Sequence, residues 1–185
     1  RVAEGRWDVT ANTWVEGDLN TAAGETLIRQ ILVTRDYMKE NFGVEPRICW
    51  EPDTFGHPAT YPQILKKSGI QYYYFCRAGK QHPLFWWEGP DGSRVFAIQD
   101  LMGYGGEMRP SRVVEGLMKF YTRYGIKEGL YVYGAGDHGG AATAKDIENA
   151  RKIRSAGLLP QTMPSTIPDF YDHALVHATN VPVVQ

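Results

Sequence analysis

The chain reads as an α/β fold with a parallel sheet, on three observations. Two passages run from a strand through a Pro- or Gly-rich turn into a helix, at 47–58 and at 129–143, and a βαβ unit of conventional length lies between residues 47 and 75. Residues ahead of 24 are strand-like at most. Over 24–42, Leu27, Ile28, Ile31, Leu32, Tyr37 and Met38 recur at helical spacing, Gly43 stops the helix and Pro46 prevents its resumption. Arg47-Ile48-Cys49-Trp50 is a buried strand, followed by a turn marked by Pro52 and Gly56 and a helix over about 59–68 with Pro58 expected in its first turn. After Gly69, residues 70–75 return as a strand, which makes the two strands parallel.

Residues 84–88 and 94–98, joined by Gly89-Pro90-Asp91-Gly92, are expected to form a β-hairpin excursion beside the rim of the site. Alternation then resumes. A Gly-rich loop holds Gly103, Gly105 and Gly106, Pro110 to Tyr124 is a helix, 129–133 a strand and 141–156 a helix. Leu158 to Met163 is a strand candidate, Ser165 is placed as the N-cap of a further helix, and 181–184 begins the next strand. With no repeat, low-complexity stretch or linker, residues 1–185 are read as one domain.

Composition narrows the function classes. With 43% hydrophobic and 22% charged residues among 185, the chain can bury a sizeable core and is not a disordered or fibrous segment. A net charge of -1 without a like-charge run offers nothing to nucleic acid or an anionic membrane, and no apolar run reaches the roughly 18 residues of a membrane span. Aromatic side chains at 12% suit the apolar faces and polar edges of sugar rings as well as a core. Cys49 and Cys76 form no CxxC pair and are read as two buried thiols, which favours a reducing, cytoplasmic setting.

Asp53 stands at the carboxyl end of a strand, where α/β enzymes place chemistry, although an Asp between Pro and Gly also commonly bonds its own turn. Asp137 stands in the second turn, Tyr133-Gly134-Ala135-Gly136-Asp137-His138-Gly139-Gly140. Two such carboxyls can supply a nucleophile and a general acid/base if they lie roughly 5–5.5 Å apart. Gly134-x-Gly136-x-x-Gly139 could instead cradle a phosphate, but no strand-end acid follows to complete a dinucleotide fingerprint. His57 is expected to orient its turn, His138 to serve a loop, and His82, His173 and His177 to fill surface or packing roles. Period 2 puts Trp86 and Trp87 on opposite sheet faces, one expected in the core and the other at the rim.

Trp50-Glu51-Pro52-Asp53-Thr54-Phe55-Gly56-His57 resembles the nucleophile motif of the glycoside hydrolase family 38 α-mannosidases. Gly5-Arg6-Trp7, Trp14-Val15-Glu16-Gly17-Asp18-Leu19-Asn20, Gly24-Glu25-Thr26-Leu27-Ile28-Arg29-Gln30, Pro62-Gln63-Ile64-Leu65, Phe85-Trp86-Trp87 and Asp91-Gly92-Ser93 continue the likeness in order. The second turn departs from it, with Ala141-Ala142-Thr143 where Gly-Pro-Thr is usual.

The resemblance implies an irregular parallel-stranded β/α barrel of about seven strands, with residues 1–185 a part of that catalytic domain truncated at both ends. It implies retaining hydrolysis of terminal α-mannosidic bonds through a covalent glycosyl-enzyme intermediate. Asp53 would be nucleophile and ligand of a divalent metal, Zn2+ in most members, that holds the sugar hydroxyls; Asp137 would be acid/base, and Phe55, Arg77 and Trp87 would bind substrate. The family's histidine-bearing metal blocks, His-x-His-x-Asp and Phe-His-Asp, are not in this chain, so the isolated piece is expected to be inactive. The implied partner is an α-mannoside oligosaccharide or glycoconjugate, and a homo-oligomer is left open for the full-length protein. The alternatives are a metal-dependent carbohydrate deacetylase and a non-catalytic carbohydrate-binding fragment.

Overall fold

The computed structural model describes residues 1–10, 12–79, 82–136 and 140–185. The chain divides into two compact units: residues 1–101 with 166–172 and 181–185, and residues 102–165 with 173–180.

The first unit is a mixed sheet covered on both faces. Its five strands are β1 Ile48–Glu51, β2 Tyr72–Phe75, β3 Leu84–Glu88, β4 Arg94–Gln99 and β5 Val183–Val184, in the order β1-β2-β4-β3-β5. β1, β2 and β4 run parallel, with Ile48 opposite Tyr72 and Tyr72 opposite Phe96. β3 is antiparallel to β4 and pairs in parallel with β5. The expected hairpin excursion is therefore part of the sheet: β4 carries β2's ladder, because both strands are apolar on both faces and bury them. These five strands do not close into a barrel.

Helix α1, Gly24–Phe42, forms over its expected span and stops at Gly43, whose φ of 67° lets its N–H reach back to the Lys39 carbonyl. Leu27 and Ile31 of α1 and Leu65 of α2, Tyr61–Lys67, cover one face through a core with Tyr73, Phe85, Trp87 and Val95. Tyr171 of α5, Ile167–His177, covers the other by stacking on Tyr72 and meeting the Phe96 ring edge-on. Two boundaries moved. Pro58 precedes α2, accepting from Tyr61 N–H in a turn, and Pro62 takes the first-turn position. Thr166, not Ser165, caps α5, its Oγ1 accepting from Asp169 N–H.

The second unit packs α3, Pro110–Tyr124, and α4, Ala144–Ser155, around Met108, Val113 and Ile153. The strand expected at 129–133 does not form; Tyr131 and Tyr133 pack onto that core, and only Gly134 bridges Gly106. Leu158 to Met163 is likewise no strand, since Pro160 lacks an N–H for a ladder and both Leu158 and Met163 stand exposed. Residues 1–23 are turns and irregular chain where described.

Candidate active site at the carboxyl edge of the sheet

Because β1, β2 and β4 are parallel, the residues that follow them emerge at one edge: Asp53 after β1, Arg77 after β2 and Asp100 after β4. Open α/β sheets bind ligands at this edge. The Arg77 guanidinium lies against Asp53 with Nε at 2.7 Å and Nη2 at 2.6 Å from Oδ1. Its carbon sits 5.0 Å from the centre of the Phe55 ring. Three of the residues singled out by sequence, Asp53, Phe55 and Arg77, thus form one cluster. The Asp53 and Arg77 side chains are 45% and 44% exposed, so the pair is half open to solvent and its worth is orientation more than stability.

The turn itself is held from a distance in sequence. Glu16 Oε1 accepts from Asp53 N–H at 2.6 Å, Thr54 N–H at 2.8 Å and Thr54 Oγ1 at 3.2 Å. A side chain at Gly56 would bring its Cβ to 2.5 Å from both Asp18 Oδ1 and Asn20 Nδ2, so any larger residue would have to push those two side chains aside. Glu16 received no role from sequence reasoning. The signal was its place in the Trp-Val-Glu block, but a carboxylate that caps a turn 37 residues away is invisible to local pattern.

Beneath the turn lies a chain of buried polar groups. Glu51, fully buried, receives Tyr61 Oη at 3.1 Å, and its Oε2 is 2.9 Å from Tyr73 Oη. Tyr73 Oη is also 2.9 Å from His57 Nδ1, and His57 Nε2 is 3.1 Å from the Arg77 carbonyl. A carbonyl only accepts, so Nε2 carries a proton; in the neutral ring Nδ1 then accepts from Tyr73, whose single proton is used. With the ring neutral, Tyr73 oxygen accepts from a protonated Glu51; with the ring charged, Nδ1 donates to Tyr73 and Tyr73 donates to Glu51 Oε2. Burial favours both neutral forms: it raises the Glu51 carboxyl above its ordinary value and lowers His57 below its own. The chain ends on the backbone of Arg77, the residue that holds Asp53.

Both cysteines are free thiols, Cys49 fully buried and Cys76 half-buried. Burial raises both, pushing Cys76 up to about 12, so neither is a ready thiolate nucleophile. Trp87, expected to bind substrate, is 5% exposed with its ring among Tyr61, Tyr73 and His57. Its face of the sheet is the one covered by α1 and α2, which makes it a core residue here. Asp137, with His138 and Gly139, lies outside the described residues. The flanks of that loop are tied: Gly134 and Gly106 exchange backbone hydrogen bonds, and Ala135 N–H reaches the Ala141 carbonyl.

The sequence profile described as "Glycosyl hydrolases family 38 N-terminal domain" matches residues 1–183. The chain belongs to glycoside hydrolase family 38. It is 29% identical over 188 residues to an α-mannosidase of Saccharomyces cerevisiae, covering 95% of this chain and 17% of that protein. A mouse protein, α-mannosidase 2C1, is 31% identical over 175 residues, covering 88% of this chain and 16% of its own length. The chain thus spans about a sixth of these family 38 relatives. Among solved structures, an α-mannosidase from Enterococcus faecalis V583 superposes with a TM-score of 0.74 at 20% identity, over 94% of this chain and 21% of that one. A 4-α-glucanotransferase from Thermococcus litoralis superposes with a TM-score of 0.60 at 15% identity, over 99% of this chain and 30% of that one. Both show a shared α/β fold.

Asp53 is the residue of this turn that was expected to ligate a metal. Among the described residues, no group of three His, Cys, Asp or Glu side chains within reach of a common ion includes Asp53. Zinc needs about four ligands, so the described residues do not make a zinc site around Asp53 by themselves.

Proposed function

We propose that this chain carries the nucleophile of a retaining α-mannosidase, and that residues 1–185 are a portion of its catalytic α/β domain, their sheet one part of a barrel of about seven strands. The observation that carries the reading is the clamp of Arg77 on Asp53 at the carboxyl edge of three parallel strands. Nε and Nη2 of Arg77 both approach Oδ1, and in this reading Oδ2 makes the attack. Arg77 also keeps the carboxylate aimed, and Phe55 gives the sugar an apolar wall.

The reaction divides into two displacements. In the first, Asp53 Oδ2 bonds to the anomeric carbon as the glycosidic C–O bond breaks, and the leaving oxygen takes a proton from the acid we assign to Asp137. In the second, that group takes a proton from water, whose oxygen displaces Asp53 with net retention. A Zn2+ ion at the site would take its remaining ligands from residues outside this chain, and no step here is routed through it. Substrates in this reading are α-mannosides of an oligosaccharide or glycoconjugate. The deacetylase alternative draws no support from family membership, which favours glycoside hydrolysis.

The test uses the full-length protein that contains this chain. A fluorinated mannosyl fluoride should trap the intermediate, and peptide mass spectrometry should find the sugar on Asp53. Asp53→Asn should lower kcat by on the order of ten-thousandfold or more. A label on another carboxylate, or an Asn variant that turns over normally, overturns the assignment.

A further inference from the structure

His173 and His177 stand four residues apart on α5, and helical geometry places such residues one turn above the other on the same face. The buried face of the helix is set by Phe170, Tyr171 and Ala174, so the two histidines fall on the solvent side. Helical pairing continues past them, with Ala178 N–H reaching the Ala174 carbonyl at 2.8 Å, which holds the spacing to the end of the helix. Their rings are 5.4 Å apart. Glu128, from the segment after α3, reaches the same place: its Oε2 is 3.0 Å from His173 Nδ1. One ligand atom from each of the three lies within 4.8 Å of the others.

We propose that Glu128, His173 and His177 form a binding site for a first-row transition-metal ion, Zn2+ above all. Two ligand atoms on a tetrahedral zinc ion are roughly 3.3 Å apart, given metal–ligand bonds near 2.0–2.1 Å. The His173–Glu128 contact already has nearly that separation, held by a shared proton that the ion would displace. All three side chains are exposed, so rotating about their own bonds brings the other two distances in without moving the backbone. Two imidazole nitrogens and one carboxylate oxygen suit zinc, nickel or copper and not magnesium or calcium, which take oxygen ligands. Water completes the coordination. The ion would pin α5 to the segment after α3 within the second unit, from which both ligand sources come. No residue of this site belongs to the Asp53 turn, so the proposal stands or falls independently of the assigned catalysis.

The experiment is zinc titration of the purified 185-residue chain after chelator treatment, followed by calorimetry and by the imidazole proton resonances of its histidines. The expected result is one zinc ion per chain, with the His173 and His177 resonances moving and those of His57 and His82 unmoved. His177→Ala and Glu128→Gln should each weaken binding by at least about tenfold, and the double variant His173→Ala/His177→Ala should lose it. Circular dichroism of the variants should match the parent, since the three side chains are exposed. Mg2+ should produce no such response. Zinc binding that survives in the double variant, or a titration that moves other histidines first, overturns the proposal, as does absence of binding at micromolar zinc.

Discussion

Replacing Glu51 by Gln tests the proton assignment beneath the Asp53 turn. The folded chain raises this carboxyl above its ordinary 4.5, chiefly by burial. A raised acid favours folding most where it is protonated in both states: that contribution is whole below 4.5 and is lost as pH rises through the folded value. One proton is involved, so the wild type should lose about 1.4 kcal/mol per pH unit across that window. Glutamine carries no such slope, and its amide can donate to Tyr73 as the protonated acid does, leaving the chain to His57 and the Arg77 carbonyl intact.

His57 works in the opposite sense. Its folded value is lowered, so it contributes stability above its ordinary 6.5 that is lost as pH falls through the folded value, and it does so in both proteins. Taking the difference between them removes it to first order. Urea unfolding from pH 4 to 8 is the assay. The two midpoints should nearly coincide at pH 4 and separate above 4.5, by about 0.5–1.4 M per pH unit for an m-value of roughly 1–3 kcal/mol/M, with the variant the more stable. A separation that does not change with pH, or a wild type that gains on the variant as pH rises, refutes the assignment.

Two further substitutions probe the two units separately. Leu65→Ala removes a fully buried side chain between α2 and the sheet and should cost about 2–5 kcal/mol, read as a lower denaturant midpoint for the first unit. A loss under 1 kcal/mol would mean that the site collapses freely, against the packing described. Thr143→Ala deletes the cap of α4, where Asp146 N–H donates to Thr143 Oγ1 and Thr143 N–H donates back to the Asp146 carboxylate. It should destabilise the second unit by about 0.5–2 kcal/mol and speed amide exchange in the first turn of α4; unchanged exchange at Asp146 would contradict the capping box.

Periodicity carried far where structure is local. The apolar spacing over 24–42 and the glycine that follows mark α1 to its ends, and Pro110 to Tyr124 forms α3 over its expected span. A helix takes its hydrogen bonds from itself, so its own residues decide it. The 129–133 segment shows the opposite case. Its alternating aromatics look like a strand, yet a strand needs a neighbour's backbone, and the neighbour here meets it only at Gly106 and Gly134.

Residue types and order alone placed Asp53 at the end of a strand, marked its turn and pointed to the family that the profile match shows. Tertiary structure decided which residues act with it. Arg77 reaches Asp53 across 24 positions, Glu16 holds its turn across 37, and Glu128 meets His173 across 45. The histidine pair four apart on α5 received only surface or packing roles from sequence, and its carboxylate partner Glu128 comes from another segment. Helical and strand repeats record only which way each residue faces; contacts between distant segments depend on how sheet and helices stack, and no local pattern encodes that.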